Sequence, residues 1–86
     1  MHIGEAIMPR DEAIALARAT LVESLTRLGA YYEKKPAMRP DPDGALPALI
    51  RADETWIFVP FRRADPKADP VVVRVNGITK AASLER

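Results

Sequence analysis

The segment Val71-Val-Val-Arg-Val75, Asn76-Gly77, Ile78-Thr-Lys-Ala-Ala-Ser-Leu84 constrains the fold more than any other part of the chain. Asn-Gly between two β-prone runs is the strongest short-range signal for a hairpin. A two-residue loop there pairs Val75 with Ile78, Val73 with Lys80 and Val71 with Ala82 on one face. Val72, Arg74, Thr79 and Ala81 share the other. The first set reads as the core face, with Lys80 reaching water along its aliphatic stem. Upstream, 55–62 reads as another strand, with Trp56 and Phe58 on one side and Ile57, Val59 and Phe61 on the other. Pro60 has no N–H to give a ladder, which predicts an edge strand, a bulge or a strand end. Residues 64–70 carry two Asp-Pro steps and read as a polar turn.

Everything before this is one helical pattern and a Pro-rich connection. Ile14, Ala17, Leu21, Leu25, Leu28 and Tyr32 recur at spacings of three and four, which places them on one stripe of a helix over 9–35. Pro9 suits the first helical position. Asp11 and Glu12 in the first turn, and Lys34 and Lys35 in the last, match the helix dipole. Glu23 and Arg27 are placed for an i,i+4 ion pair. Pro36 ends the helix. A helix over 9–35 would run about 40 Å at about 1.5 Å per residue, whereas a domain of this size is about 30 Å across. A break near Gly29, or a last turn and a half projecting past the sheet, resolves the conflict.

Pro36, Pro40, Pro42 and Pro47, with Asp41, Asp43 and Gly44, make 36–54 a turn-rich, polyproline-prone connection. Within it, 45–50 has the composition of a short edge strand weakened by Pro47. The expected fold is therefore α+β: a single domain over 1–86, with one long N-terminal helix packed on a three- to four-stranded antiparallel sheet over 55–84.

Composition narrows the function classes. Thirteen Lys and Arg against twelve Asp and Glu give a net charge of +1, which supplies no field for nucleic acid or an anionic membrane. With no cysteine, disulfides, thiolate metal sites and cysteine nucleophiles are excluded. No window approaches the ~20 apolar residues of a membrane helix. The N-terminus lacks the basic and apolar regions of a signal peptide, so the expected compartment is the cytoplasm, or the periplasm if a leader was removed.

No residue pattern points to catalysis. His2 is the single histidine and has no sequence neighbour that would support catalysis or metal binding. Asp41-Pro-Asp43-Gly44 has the flavour of a calcium loop, but Ile50 stands where the EF-hand needs Glu. No Ser–His–acid set, Gly-rich phosphate loop or paired-carboxylate spacing occurs. Neither a cofactor nor a metal is expected, and the chain is read as a non-enzyme. Arg62, Arg63 and Lys67, with Arg39, form a small basic group diluted by Asp65 and Asp69. Tyr31 and Tyr32 point about 100° apart on a helix, so one joins the core and the other stands exposed as an interface anchor. Trp56 reads as a core residue packed against the helix stripe.

Several segments carry a family likeness: Pro9 with Glu12-Ala-Ile-Ala-Leu-Ala17, Tyr32-Glu-Lys-Lys-Pro36, Trp56-Ile-Phe-Val59, and Val73-Arg-Val-Asn-Gly-Ile78. In these and in their order the chain resembles a family of small bacterial immunity proteins with a nuclear-transport-factor-two-like fold, close in shape to PepSY-type domains. The resemblance implies a protein that binds and neutralises a partner toxin, with no catalytic residue to transfer. The expected contact residues are Tyr31, Arg39, Asp41, Asp43, Arg62 and Arg63, in a monomer or weak homodimer. Two alternatives belong to other classes. One is a PepSY- or cystatin-like module that holds a peptidase or precursor in check by strand addition at an edge near Pro60 or Pro47. The other is a small ligand-binding domain, which requires a deep pocket.

Overall fold

The computed structural model describes residues 8–85. Helix α1 spans Arg10–Arg27 and α2 spans Gly29–Lys34; the strands are β1 (Pro40–Ala45), β2 (Arg51–Asp53), β3 (Trp56–Arg63), β4 (Val71–Asn76) and β5 (Ala82–Leu84), with 3₁₀ turns at Pro36–Met38 and Pro47–Leu49. The sheet is antiparallel in the order β1-β3-β4-β5, and β2 pairs with β3 on the side β1 occupies. The α+β architecture of one long helix on an antiparallel sheet is as the sequence predicts. The sheet has five strands rather than three or four.

Helix α1 starts where the first-turn acids predict, with Pro9 at the cap rather than inside. Its buried residues are Ala13, Ala17, Leu21 and Ser24. They meet Ile57, Val59, Phe61, Val71, Val73 and Val75 from the sheet, and Met8 closes the same core. The contact row is rotated from the predicted stripe. Ala13 and Ala17 let the helix backbone sit close to the β-branched surface, while Ile14 and Leu16 are only partly buried. Leu28, assigned to the stripe from its spacing, is exposed. There the helix breaks, with Leu28 at φ −104° and ψ 18°, and the chain resumes as α2. No residue of α2 is buried, and the long dimension of the fold reaches 46 Å against 24 and 20 Å. The length conflict is thus met by both a break and a projection.

The connection over 36–54 is not a loop. Pro40 lies opposite Arg63 and Ala45 opposite Phe61, so β1 has three more residues than the stretch of β3 it covers. The next paired residues are Arg51 and Phe58, which leaves another three extra residues, accommodated by the 3₁₀ turn Pro47–Leu49. The strand expected over 45–50 is therefore interrupted where it was expected to run. These slips explain Pro60. It lies in the central strand and is buried, not at an edge. Its carbonyl accepts from Leu46 N at 2.9 Å, and its missing donor falls opposite the bulged turn, where no acceptor is waiting. Pro40 and Pro42 are tolerated because β1 is an outer strand.

The terminal hairpin also departs from its signal. Val75 pairs with Ala82, Arg74 with Ser83 and Val73 with Leu84. The register is displaced by four residues, an even number, so Val71, Val73, Val75 and Ala82 keep the core face. Ile78, expected opposite Val75, falls in the loop and is exposed, and Leu84 takes up the inner face instead. Asn76 causes the change. Its side-chain oxygen accepts from Ile78 N at 2.9 Å and Thr79 N at 3.0 Å, and its carbonyl accepts from Lys80 N at 2.8 Å. Lys80 takes the left-handed conformation at φ 64° that the signal assigns to Gly77. Gly77 instead donates to Thr55 O at 2.7 Å. The two-residue hairpin loop of this chain is Glu54-Thr55, between paired Asp53 and Trp56, with Glu54 at φ 54°.

Leu21 is wholly buried and Leu28 is not, so truncation separates the two. Leu21→Ala is expected to lower unfolding free energy in urea by about 2–5 kcal/mol. Leu28→Ala should change it by less than about 1 kcal/mol.

Candidate partner-binding surface

Only one face of the sheet is covered by helix. The alternation in β3 sends Ile57, Val59 and Phe61 under α1 and leaves Trp56 and Phe58 half-buried on the far face. This corrects the sequence reading of Trp56 as a partner of the helix stripe. The three-residue set wins the core because it alone faces the valines of β4 and the alanine row of α1. Pairing then brings arginines to the stranded aromatics. Arg51 on β2 and Arg74 on β4 both lie opposite Phe58. The Arg51 guanidinium carbon is 4.3 Å from the Phe58 ring centre, and that of Arg74 is 5.0 Å from the Trp56 ring. Arg74 Nε also donates to Ser83 Oγ at 3.2 Å. Each such stack is worth about 0.5–1 kcal/mol at an exposed site. It holds flat, weakly hydrated groups in place over the apolar surface.

The contact residues expected from sequence fall into separate roles. Tyr31, on α2, is exposed, with its ring edge-on to Tyr32 at 5.1 Å and Lys35 Nζ 5.6 Å from its centre. Arg39 is exposed, and its carbonyl accepts from Ala64 N at 2.8 Å. Asp41 Oδ1 accepts from Asp43 N at 2.9 Å, a local Asx turn. Gly44 packs closely just beyond, since a Cβ there would come within 3.1 Å of the Asp41 side chain and push it aside by a few tenths of an ångström. Asp43 Oδ1 takes the Arg18 Nε bond at 3.0 Å, tying β1 to α1. Arg62 is exposed, but Arg63 is committed to the fold. Its Nη1 donates to Met38 O at 2.6 Å and its Nε to Asp69 O at 2.9 Å. The basic group of Arg39, Arg62 and Arg63 therefore gathers at the β1–β3 end with one member already employed, and Tyr31 stands off the sheet. His2 lies outside the described residues.

Among the described residues the ion pairs are Arg18–Asp43 and Lys80–Glu12, the latter at 2.7 Å. Both anchor α1 to the sheet layer, and each is exposed enough to contribute at most about 1 kcal/mol. The predicted Glu23–Arg27 pair is not among them. Both residues line a cleft of about 950 Å³ between the C-terminal half of α1 and the β5 side of the sheet. Glu23, Ser24, Arg27 and Leu28 line one wall, with Ala82 and Leu84 on the other. Among the described residues, no group of three or more His, Cys, Asp or Glu is placed to hold a metal ion, and no helix is long and apolar enough to cross a membrane.

Sequence reasoning missed Arg51 altogether and placed Arg74 on the outer face without giving it a task. The signal was present in the alternation of Trp56 and Phe58 against Ile57 and Val59. What was missing was the choice of face. Comparison with protein-family models, with curated proteins and with solved structures finds no match to this chain.

The clamp role of Arg63 separates it from its neighbour. Arg63→Ala leaves two carbonyls without their cationic donor and should destabilise the fold by about 1–3 kcal/mol in chemical denaturation. Arg62→Ala should stay within about 0.5 kcal/mol.

Proposed function

We propose that this chain is a small protein-binding domain of the immunity type, which binds a cognate bacterial toxin and neutralises it by covering its surface. One observation carries the reading. Trp56 and Phe58 sit on the helix-free face of the sheet, with Arg51 and Arg74 stacked beside them. Trp and Arg are the residue types that dominate binding energy at protein interfaces, above all where they are rigidly held and ringed by other contacts. Here the arginines are fixed by stacking and, for Arg74, by Ser83, so little freedom remains to be lost on docking. A face on a sheet is also rigid, which suits recognition of a folded partner better than a loop does.

The likeness of 9–17, 32–36, 56–59 and 73–78 to the immunity family supplies the toxin half of the reading. The surface supplies the binding half. In this account the domain works as a monomer in the cytoplasm and performs no chemistry. The contact set centres on Trp56, Phe58, Arg51 and Arg74. Tyr31, Arg39 and Arg62 act at the margin.

The test is co-expression with the toxin encoded beside this chain's gene, followed by titration of the purified pair. Growth should be restored by the native domain. Trp56→Ala combined with Phe58→Ala should weaken the complex by about tenfold or more, since hot-spot truncations cost upward of about 2 kcal/mol, while the domain still unfolds cooperatively, less stable by at least the two lost stacks, about 1–2 kcal/mol. Absence of protection and of any complex would refute the proposal, as would a double variant that binds as tightly as the native domain.

A further inference from the structure

A second surface, which borders the sheet face at Arg74 and Ser83, stands at the β5 edge. Bonds from Asn76 N to Ala81 O and from Glu85 N to Val72 O, with Arg74 opposite Ser83, show that Ala81, Ser83 and Glu85 turn their backbone groups toward β4. By the alternation of an antiparallel ladder, the N–H and C=O groups of Ala82 and Leu84 point outward. Among the described residues nothing bonds to them. Ala82 and Leu84 also line the cleft whose other wall is the C-terminal half of α1.

We infer that this cleft receives an extended segment of a partner protein, which adds to the sheet as a strand along β5. The backbone groups dictate the occupant, since only another extended chain offers donors and acceptors at the spacing of Ala82 and Leu84. The edge is short, and its few backbone bonds do not outweigh the freedom lost in docking. The helix wall supplies the remainder. Leu28 is 41% exposed, an apolar side chain left uncovered where the helix breaks. With Leu84 and the half-buried Tyr32 it makes an apolar seat for one side chain of the incoming strand. Arg27, the residue before Leu28, lines the same cleft and has no ion-pair partner among the described residues. Arg27, Arg63 and Arg74 outnumber Glu23 and Glu85 on the cleft, so it fits a carboxylate on the segment, and guanidinium–carboxylate pairing is strong and directional. The ligand is therefore an extended peptide carrying an apolar residue and an acidic one on the side facing the helix. The cleft volume falls within the range of built binding sites, about 300–1,000 Å³.

The probe is a phage-displayed library of random octapeptides panned against the full chain, with amide hydrogen exchange followed on the tightest synthetic peptide. Enriched peptides should combine an apolar and an acidic position. Bound peptide should slow exchange at the Ala82 and Leu84 amides at least tenfold and leave Ser83 nearly unchanged. Ala82→Pro removes an outward donor without touching the β4–β5 ladder, and should weaken binding at least tenfold. Should that variant fail to fold, Leu28→Asp, at an exposed position, gives the same loss. Three results overturn the inference: no enrichment, a bound peptide that protects Trp56 and Phe58 rather than Ala82 and Leu84, or dimerisation of the chain that protects those two amides with no peptide present.

Discussion

The whole arrangement depends on a row of small residues. Ala13 and Ala17 have no exposed surface, nor does Leu21 two turns on from Ala13. They let α1 lie directly on Val59, Phe61, Val73 and Val75, all equally sealed. Burying these side chains is what offsets the backbone entropy of a chain this short. A single helix can cover only one face of a sheet. Once it has taken the Ile57, Val59 and Phe61 side, the aromatic residues between them are turned outward. The surface proposed to bind a partner is thus a direct consequence of how the core is satisfied.

The sheet itself is organised around a proline in its middle strand. β3 pairs on one side with β4 along its length and on the other with two shorter strands separated by a 3₁₀ turn. That interruption leaves the donorless Pro60 without an unmet acceptor. It also carries β2 far enough along β3 to set Arg51 opposite Phe58. A second slip, between Pro40 and Ala45, is held by the Asp41 turn and by Arg18 reaching from the helix to Asp43. The Pro- and Asp-rich segment thus acts as an outer strand bent twice.

Much of this was legible in the sequence because it follows from periodicity. Helix α1, strands β3 and β4 and the alternation of Ile57, Val59 and Phe61 against Trp56 and Phe58 are read directly from spacing. The break at Leu28 was foreshadowed by Gly29 and by length. What was not legible depended on bonds that spacing does not encode. Asn76 closes a wider loop with its own side chain, so the hairpin register moved, the valines of β4 kept their face and Ile78 left the core. The two-residue turn fell at Glu54-Thr55, which has no glycine or asparagine to announce it. β1 was hidden by prolines that an outer strand tolerates. At the candidate site, Tyr31 is exposed as expected, whereas Asp41, Asp43 and Arg63 are engaged in holding the chain together. Arg51 and Arg74 gain their place only from cross-strand register, which cannot be counted along the chain.

The helix row on the β3–β4 face is therefore the claim on which the account of both surfaces stands, and residue-resolved amide hydrogen exchange of the free protein tests it most directly. The account predicts that the slowest amides lie in α1 around Ala13–Leu21 and in β3 and β4, exchanging only on global unfolding, while α2 over Gly29–Lys34 exchanges orders of magnitude faster. Equal protection across α1 and α2, or an α1 that opens while the sheet stays closed, would contradict it.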